Sequence, residues 1–169
     1  VRVGLAREGV SIVDHAAIPE HHARLRERYL DEIFPVLTPL AVAPGHPFPY
    51  ISTLSLSLAI TVVDPVTGEG RFARVKVPPI LPRLVEVERR VYVPLEQVIA
   101  ANLDTLFPGM QIVEAHPFRV TRDADFDVEE DEAGDLLFAI EQELRRRRFG
   151  SAVRLEVEQT MPEAMREFL

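Results

Sequence analysis

The chain has 169 residues, 47% of them hydrophobic, and a formal net charge of −8. That length supports one domain with a real core, no apolar run is long enough to span a membrane, and the absence of cysteine excludes disulfides and thiolate metal sites. General nucleic-acid and polyanion binders are usually basic, so any polyanion contact here must be a local patch.

"VRVGLAREGVSIVD" reads as a β-hairpin turning at Arg7-Glu8-Gly9. Pro19 suits the first turn of a helix, and "EHHARLRERYLDEIF" follows it with Leu25, Tyr29 and Ile33 at helical spacing. Five prolines between Pro35 and Pro49 predict an extended loop, because proline lacks a backbone donor and fixes φ. "LSLSLAITVVD" alternates Leu54, Leu56 and Leu58 with Ser55 and Ser57, the pattern of a strand with one buried face. "DPVTGEG" is a turn and "RFARVKVPP" its return strand; "RLVEVERRVYVP" reads as a second hairpin.

Pro94 opens an amphipathic helix that places Leu95, Val98, Ile99, Asn102 and Leu106 near one face, and Pro108-Gly109 stops it. "MQIVEAHPFRVTRDADFDV" is one long strand, or two with a kink at His116-Pro117. Next, "EEDEAGDLLFAIEQELRRRR" predicts a helix with Ala133, Leu136, Leu137, Ile140 and Leu144 as its buried stripe. Its first turn is acidic and its last basic, matching the helix dipole at both ends. "AVRLEVE" is a further strand and "MPEAMREFL" a short final helix. Hairpins mixed with helices give an α+β domain, a mixed and largely antiparallel sheet packed by helices. No internal repeat interrupts it. Val1 begins directly in a strand-like pattern without an initiator Met, so the expectation is a single domain over 1–169, excised from a longer chain and without a signal peptide.

Asp123, Asp125, Asp127 and Glu129 partly follow a calcium-loop spacing, but Val128 stands where such a loop needs Gly, and Gly134 where it needs a bidentate Glu. The acids alternate with Ala124, Phe126 and Val128, as on a strand with one wet face, and no metal site is expected. The five histidines are His15, His21, His22, His46 and His116. None makes an i, i+4 metal pair with another, and surface or hydrogen-bonded structural roles are expected. There is no phosphate-cradling glycine loop and no nucleophile elbow.

Ten acidic residues lie between Asp123 and Glu143, with no basic residue among them, and Arg145–Arg148 follow at once. Arg147 and Arg148 continue the apolar stripe past its end, whereas Arg145 sits four residues after Glu141, placed for a surface ion pair. One reading is that all four arginines complement the helix C-terminus. The other is that Arg147 and Arg148, with Arg122 and Arg154 on flanking strands, present forked donors to phosphate.

"GHPFPYISTLSLSLA", "RVKVPPILPR", "YVPLEQVIAANLDTLFPGM", "HPFRVTRDADFDVEEDEAGDLL" and "RRRRFGSAVRLEV…MPEAM", in this order, closely resemble the middle, or head, domain of the large bacterial polyphosphate kinases over nearly the whole chain. Thr53 departs from the pattern, where Asn or Gly is expected in many relatives. The resemblance implies a fold of the protein-histidine-phosphatase type. It implies a cytoplasmic parent enzyme, with peripheral membrane association open, that uses ATP and Mg²⁺ to move the terminal phosphoryl group reversibly onto inorganic polyphosphate through a phosphohistidine. The nucleophile and the ATP contacts belong to N-terminal helical and C-terminal domains outside this sequence. None of the five histidines matches the phosphorylated one, so no catalytic residue and no cofactor is carried over to this chain. The implied partners are the other domains, a second copy in a homodimer and, through the parent, ATP and polyphosphate, but not nucleic acid. The implied role is dimer contacts and walls of an active-site tunnel. A pure assembly module and a free-standing histidine-phosphatase-like enzyme are the alternatives.

Overall fold

A computed structural model describes residues 2–42, 50–123 and 151–169 of the chain. The segment 124–150, with the predicted helix, its apolar stripe, Arg147 and Arg148, lies outside the described residues, as does His46. Four short α-helices are described: α1 (Arg2–Arg7), α2 (His22–Arg28), α3 (Leu95–Ala100) and α4 (Glu163–Phe168). The strands are β1 (Ser11–Ile12), β2 (Pro39–Val42), β3 (Leu56–Val63), β4 (Gly70–Lys76), β5 (Leu84–Glu88), β6 (Val91–Pro94), β7 (Gln111–Arg122) and β8 (Ala152–Val157). An antiparallel sheet runs β2-β4-β3-β7-β8. A smaller sheet runs β1-β6-β5, with β1 parallel to β6 and β5 antiparallel to it.

The predicted first hairpin is instead a helix followed by a two-residue strand. Gly9, at φ +72°, closes α1: Gly9 N donates to Ala6 O and Val10 N to Leu5 O. These paired bonds around a left-handed glycine are a helix-ending motif. The same glycine in the sequence served equally well as a hairpin turn, and only the pairing of Ser11 with Val91 decides between the two. The predicted helix after Pro19 is present. It starts as a 3-10 turn, continues as α2 and widens to a π turn over Tyr29–Ile33, with Phe34 N donating to Tyr29 O in front of the donorless Pro35. Leu25, Tyr29 and Ile33 are buried, as their spacing predicts.

The proline-rich segment contains a strand that the composition hides. β2 pairs Pro39–Val42 with Phe72–Val75. It lies at the sheet edge and begins on its proline, which is where a residue without an N–H is tolerated. β3 is buried on both faces rather than one. Leu58, Ile60 and Val62 join the main core with Leu25, Tyr29, Val75, Val98 and Ile99. Ala59 faces a second core with Ile51, Phe118, Val120, Met161 and Met165. Central position in the sheet, with helices of one core and α4 of the other on opposite sides, makes both faces inner. Leu54 lies before the strand and is 62% exposed.

The helix from Pro94 is shorter than its pattern predicts: it ends at Ala100 and a 3-10 turn covers Leu103–Thr105. Asn102 Nδ2 donates to Val98 O, a side-chain bond that competes with continuation of the helix. β7 is one strand of 12 residues, and its register shifts fall opposite Thr61/Val62 and at Thr121/Arg122, not at His116-Pro117. β8 pairs with β7 only from Phe118 onward, so among the described residues the strand has no partner on that side at Pro117. The Asp64–Gly70 turn, the β5–β6 hairpin, β8 and α4 stand where the sequence predicts them.

Candidate functional site

Arg122, at the end of β7, anchors the strap 50–55. Its N donates to Thr53 Oγ1 at 3.0 Å and its Nε to Ile51 O at 2.8 Å. The guanidinium carbon stands 4.6 Å from the centre of the Tyr50 ring, a cation–π contact. Arg74 holds the strap from β4. It is only 4% exposed, with Nε donating to Ser57 Oγ and Nη1 to Tyr50 O. Burial pulls its pKa down from the ordinary arginine value, and both bonds offset that desolvation. Arg154 lies opposite Thr121 across the β7–β8 pair and donates to Glu156 Oε1 at 3.0 Å from an exposed side chain. The structure therefore puts Arg122 and Arg154 on neighbouring strands in separate settings, one clasping backbone and one in a surface pair.

The strap is bent in a particular way. Ser55 N and Ser55 Oγ both donate to Ser52 O, Leu54 N donates to Val120 O, and Leu54 itself has φ +58°. A non-glycine residue in the left-handed region costs energy, and two bonds to β7 hold it there.

Under this strap lies a pocket of about 310 Å³ at the ends of β3 and β4. Lys76, Arg83 and Arg119 line it together with the hydroxyl residues Ser52, Thr53 and Ser55. Lys76 stands opposite Ser57 and Arg119 opposite Leu56, so the two cations flank the first residues of β3 from the strands on either side. Ser57 and Leu56 alternate across the sheet, so Lys76 and Arg119 leave it from opposite faces, and both line the pocket where the strands end. Arg83 comes from the segment before β5. Its Nη2 is 3.0 Å from Glu96 Oε2, an ion contact without hydrogen-bond alignment, since that oxygen is buried and unbonded. Arg119 Nε is likewise buried, with no hydrogen-bond partner among the described residues. No carboxylate lines the pocket among the described residues. Sequence reasoning missed this cluster because its members come from four separate segments. One signal was present: Lys76 is the single lysine of the chain.

The described histidines are engaged with their surroundings. His15 and His22 stack with centroids 4.1 Å apart, and a ring nitrogen of His22 lies 2.8 Å from His15 O. His21 sits 3.1 Å from Glu88, and His116 lies between Glu114 and Glu158 at 3.3 Å from each. Asp123 is the one member of the acidic alternation that is described; its N donates to Ser151 O. Among the described residues no group of three or more His, Asp or Glu side chains could hold a metal ion, and no helix is long and apolar enough to cross a membrane.

The sequence profile described as "Polyphosphate kinase middle domain" matches residues 20–169. The chain belongs to the polyphosphate kinase middle-domain family. It is 54% identical over 170 residues to the polyphosphate kinase of Streptomyces coelicolor, covering 100% of this chain and 23% of that one. It is 56% identical over 179 residues to that of Synechocystis sp., covering 98% and 25%. The fold of this middle domain is similar to part of the crystal structure of polyphosphate kinase from Porphyromonas gingivalis, with a TM-score of 0.74 at 25% identity, over 99% of this chain and 24% of that one. The chain thus spans about a quarter of the length of these relatives.

Proposed function

We infer that the chain serves as a single, non-catalytic middle domain of a cytoplasmic enzyme that reversibly moves the terminal phosphoryl group of ATP onto inorganic polyphosphate through a phosphohistidine. The observation that carries this reading is the family match over residues 20–169, together with relatives named polyphosphate kinase of which the chain spans about a quarter. In this reading the nucleophile, the ATP contacts and the Mg²⁺ that accompanies ATP belong to other domains. This domain supplies dimer contacts and part of a tunnel wall, and its fold is of the histidine-phosphatase type. Arg154, exposed beside Glu156, Arg122 at the strap, and Arg147 and Arg148 are the sequence's candidates for contacts along the phosphate path. The 169-residue chain, incubated with ATP, Mg²⁺ and polyphosphate, is expected to give no chain growth and no stable phosphoprotein, whereas the full parent gives both. Robust phosphorylation of a histidine in the chain alone would overturn the reading.

A purely structural assembly module is the second reading. It is favoured by the outer edges of β2 and β8, unpaired among the described residues, and by the exposed Leu40, Val153 and Leu155 on those strands. Sedimentation of the parent with Val153 and Leu155 both changed to Ser separates the two: loss of the dimer with polyphosphate synthesis retained favours assembly alone.

A further inference from the structure

We propose that the pocket bounded by Lys76, Arg83 and Arg119 binds the tetrahedral oxyanion of a phosphoryl unit, and specifically of a condensed phosphate chain, the latter resting on the function inferred above. The physical argument begins with an imbalance. The chain carries a net charge of −8, yet this pocket collects three cations and no lining carboxylate among the described residues. Like charges brought together repel, and in a partly enclosed site their field is focused rather than dispersed. Glu96 beside Arg83 offsets part of that repulsion, and an anion in the pocket would offset the rest.

The donors are also of the right kind. Arg119 Nε is buried and makes no hydrogen bond among the described residues, and leaving a buried donor unsatisfied is costly. Arg83 touches Glu96 without an aligned bond, so its fork is not committed to a carboxylate in the bidentate manner. Two arginine forks offer planar pairs of N–H donors that match the oxygens of a phosphoryl group, and Lys76 adds a point charge. The hydroxyls of Ser52, Thr53 and Ser55 rim the same space. Their strap is held in shape by Arg74 and Arg122 and bent through the left-handed Leu54. Backbone strain over-determined in this way is a mark of a preorganised site. A volume of about 310 Å³ lies at the lower end of small-ligand pockets, ~300–1,000 Å³. The cations and hydroxyls favour a compact, charged ligand, while Leu54, Leu56, Val77, Pro78 and Pro79 line the rest of the space; the function inferred above supplies a linear polymer of such units.

The single lysine makes the test direct. Acylation of Lys76 by an amine-selective reagent is followed by peptide mass spectrometry, with orthophosphate, pyrophosphate, tripolyphosphate or sulfate present. At tripolyphosphate about ten times its Kd, labelling of Lys76 should slow about tenfold by mass action. Protection should fade with added salt. Arg119→Met should abolish the tripolyphosphate-dependent rise in Tm while leaving the ligand-free Tm unchanged or higher, because it removes an unsatisfied donor; a structural arginine would lower the ligand-free Tm. Arg119→Lys should restore binding only in part, and Arg71→Ala, at the far end of β4, should bind as the unaltered chain does. Equal protection by orthophosphate and tripolyphosphate would overturn the assignment to condensed phosphate. Absence of protection by every phosphate, in the chain and in the full parent, would overturn the pocket. A parent that makes no polyphosphate while its Lys76 is still protected would sink the inferred function and leave the oxyanion site standing.

Discussion

Arg122 and Arg154 carry the same guanidinium into different work, and the difference is measurable. Arg122 clasps Ile51 O and lies over Tyr50. Arg122→Ala should therefore cost about 1.5–3 kcal/mol in urea unfolding, the range for hydrogen bonds involving a charged group, and Lys should recover little because it lacks the fork. Arg154 is 68% exposed and pairs with Glu156; Arg154→Ala should change stability by less than about 0.5 kcal/mol. A large loss at Arg154 with none at Arg122 would reverse these assignments. Leu54 supplies a second case. Its left-handed backbone costs an L-residue about 1–2 kcal/mol, glycine gives back about 0.5–1 kcal/mol in chain entropy, and its side chain is 62% exposed. Leu54→Gly should raise stability by less than about 1 kcal/mol; a drop of that size in the same melts would mean that the leucine side chain contributes packing.

The helical segment from Pro19 to Val36 is held by contacts at both ends. Tyr29, fully buried at the π turn, lies 2.9 Å from Thr105 Oγ1 through its hydroxyl, and burial pushes its pKa up. Tyr29→Phe keeps the ring and loses that bond, for an expected cost of about 1 kcal/mol, read from chemical denaturation. Near the start of the segment, burial first and the neighbouring His22 second hold His15 below its ordinary pKa of 6.5. In the interval below 6.5 the unfolded chain then binds more protons than the folded one. Stability from this histidine is whole above pH 6.5 and is lost as pH falls through the folded pKa. The carboxyl of Asp104, which Arg26 holds below the ordinary 3.8, acts in a separate and lower window, losing its contribution only under stronger acid. His15→Gln should flatten the stability profile over the pH interval immediately below 6.5. An unchanged slope would assign that pH dependence to other groups.

At the scale of the whole molecule, β3 is the element on which both cores depend. It has a hydrogen-bonded strand on each side and a packed layer on each face. Opening its amides requires disassembling nearly everything, whereas β2 and β8 are paired on one side only among the described residues, and β1 has two residues. Hydrogen exchange should therefore be slowest in Leu58–Val62, approaching the global unfolding free energy, and fastest in β1 and the outer strands. Fast exchange in β3 would contradict the central placement. The same placement positions the cationic pocket, because Lys76 and Arg119 come from the two strands that flank β3.

The sequence by itself determined what local chemistry can determine. The Asp64–Gly70 turn is written in Asp64, whose Oδ1 accepts from Val66 N and Thr67 N, and in Gly68 at φ +72°. The burial of Leu25, Tyr29 and Ile33 follows from their helical spacing, and the family from ordered motifs that span nearly the whole chain. Only the tertiary structure decided the rest. It made Gly9 a helix end rather than a hairpin, turned a proline-rich stretch into the edge strand β2, buried Ser57 beside Arg74 and gave β3 its second inner face. It also gathered Lys76, Arg83, Arg119 and the serine-threonine strap around one space. A turn or a helix face is set by neighbours a few residues away, which composition and period record. A pocket, or the second face of a strand, is set by register between segments tens of residues apart, and no local pattern carries that information.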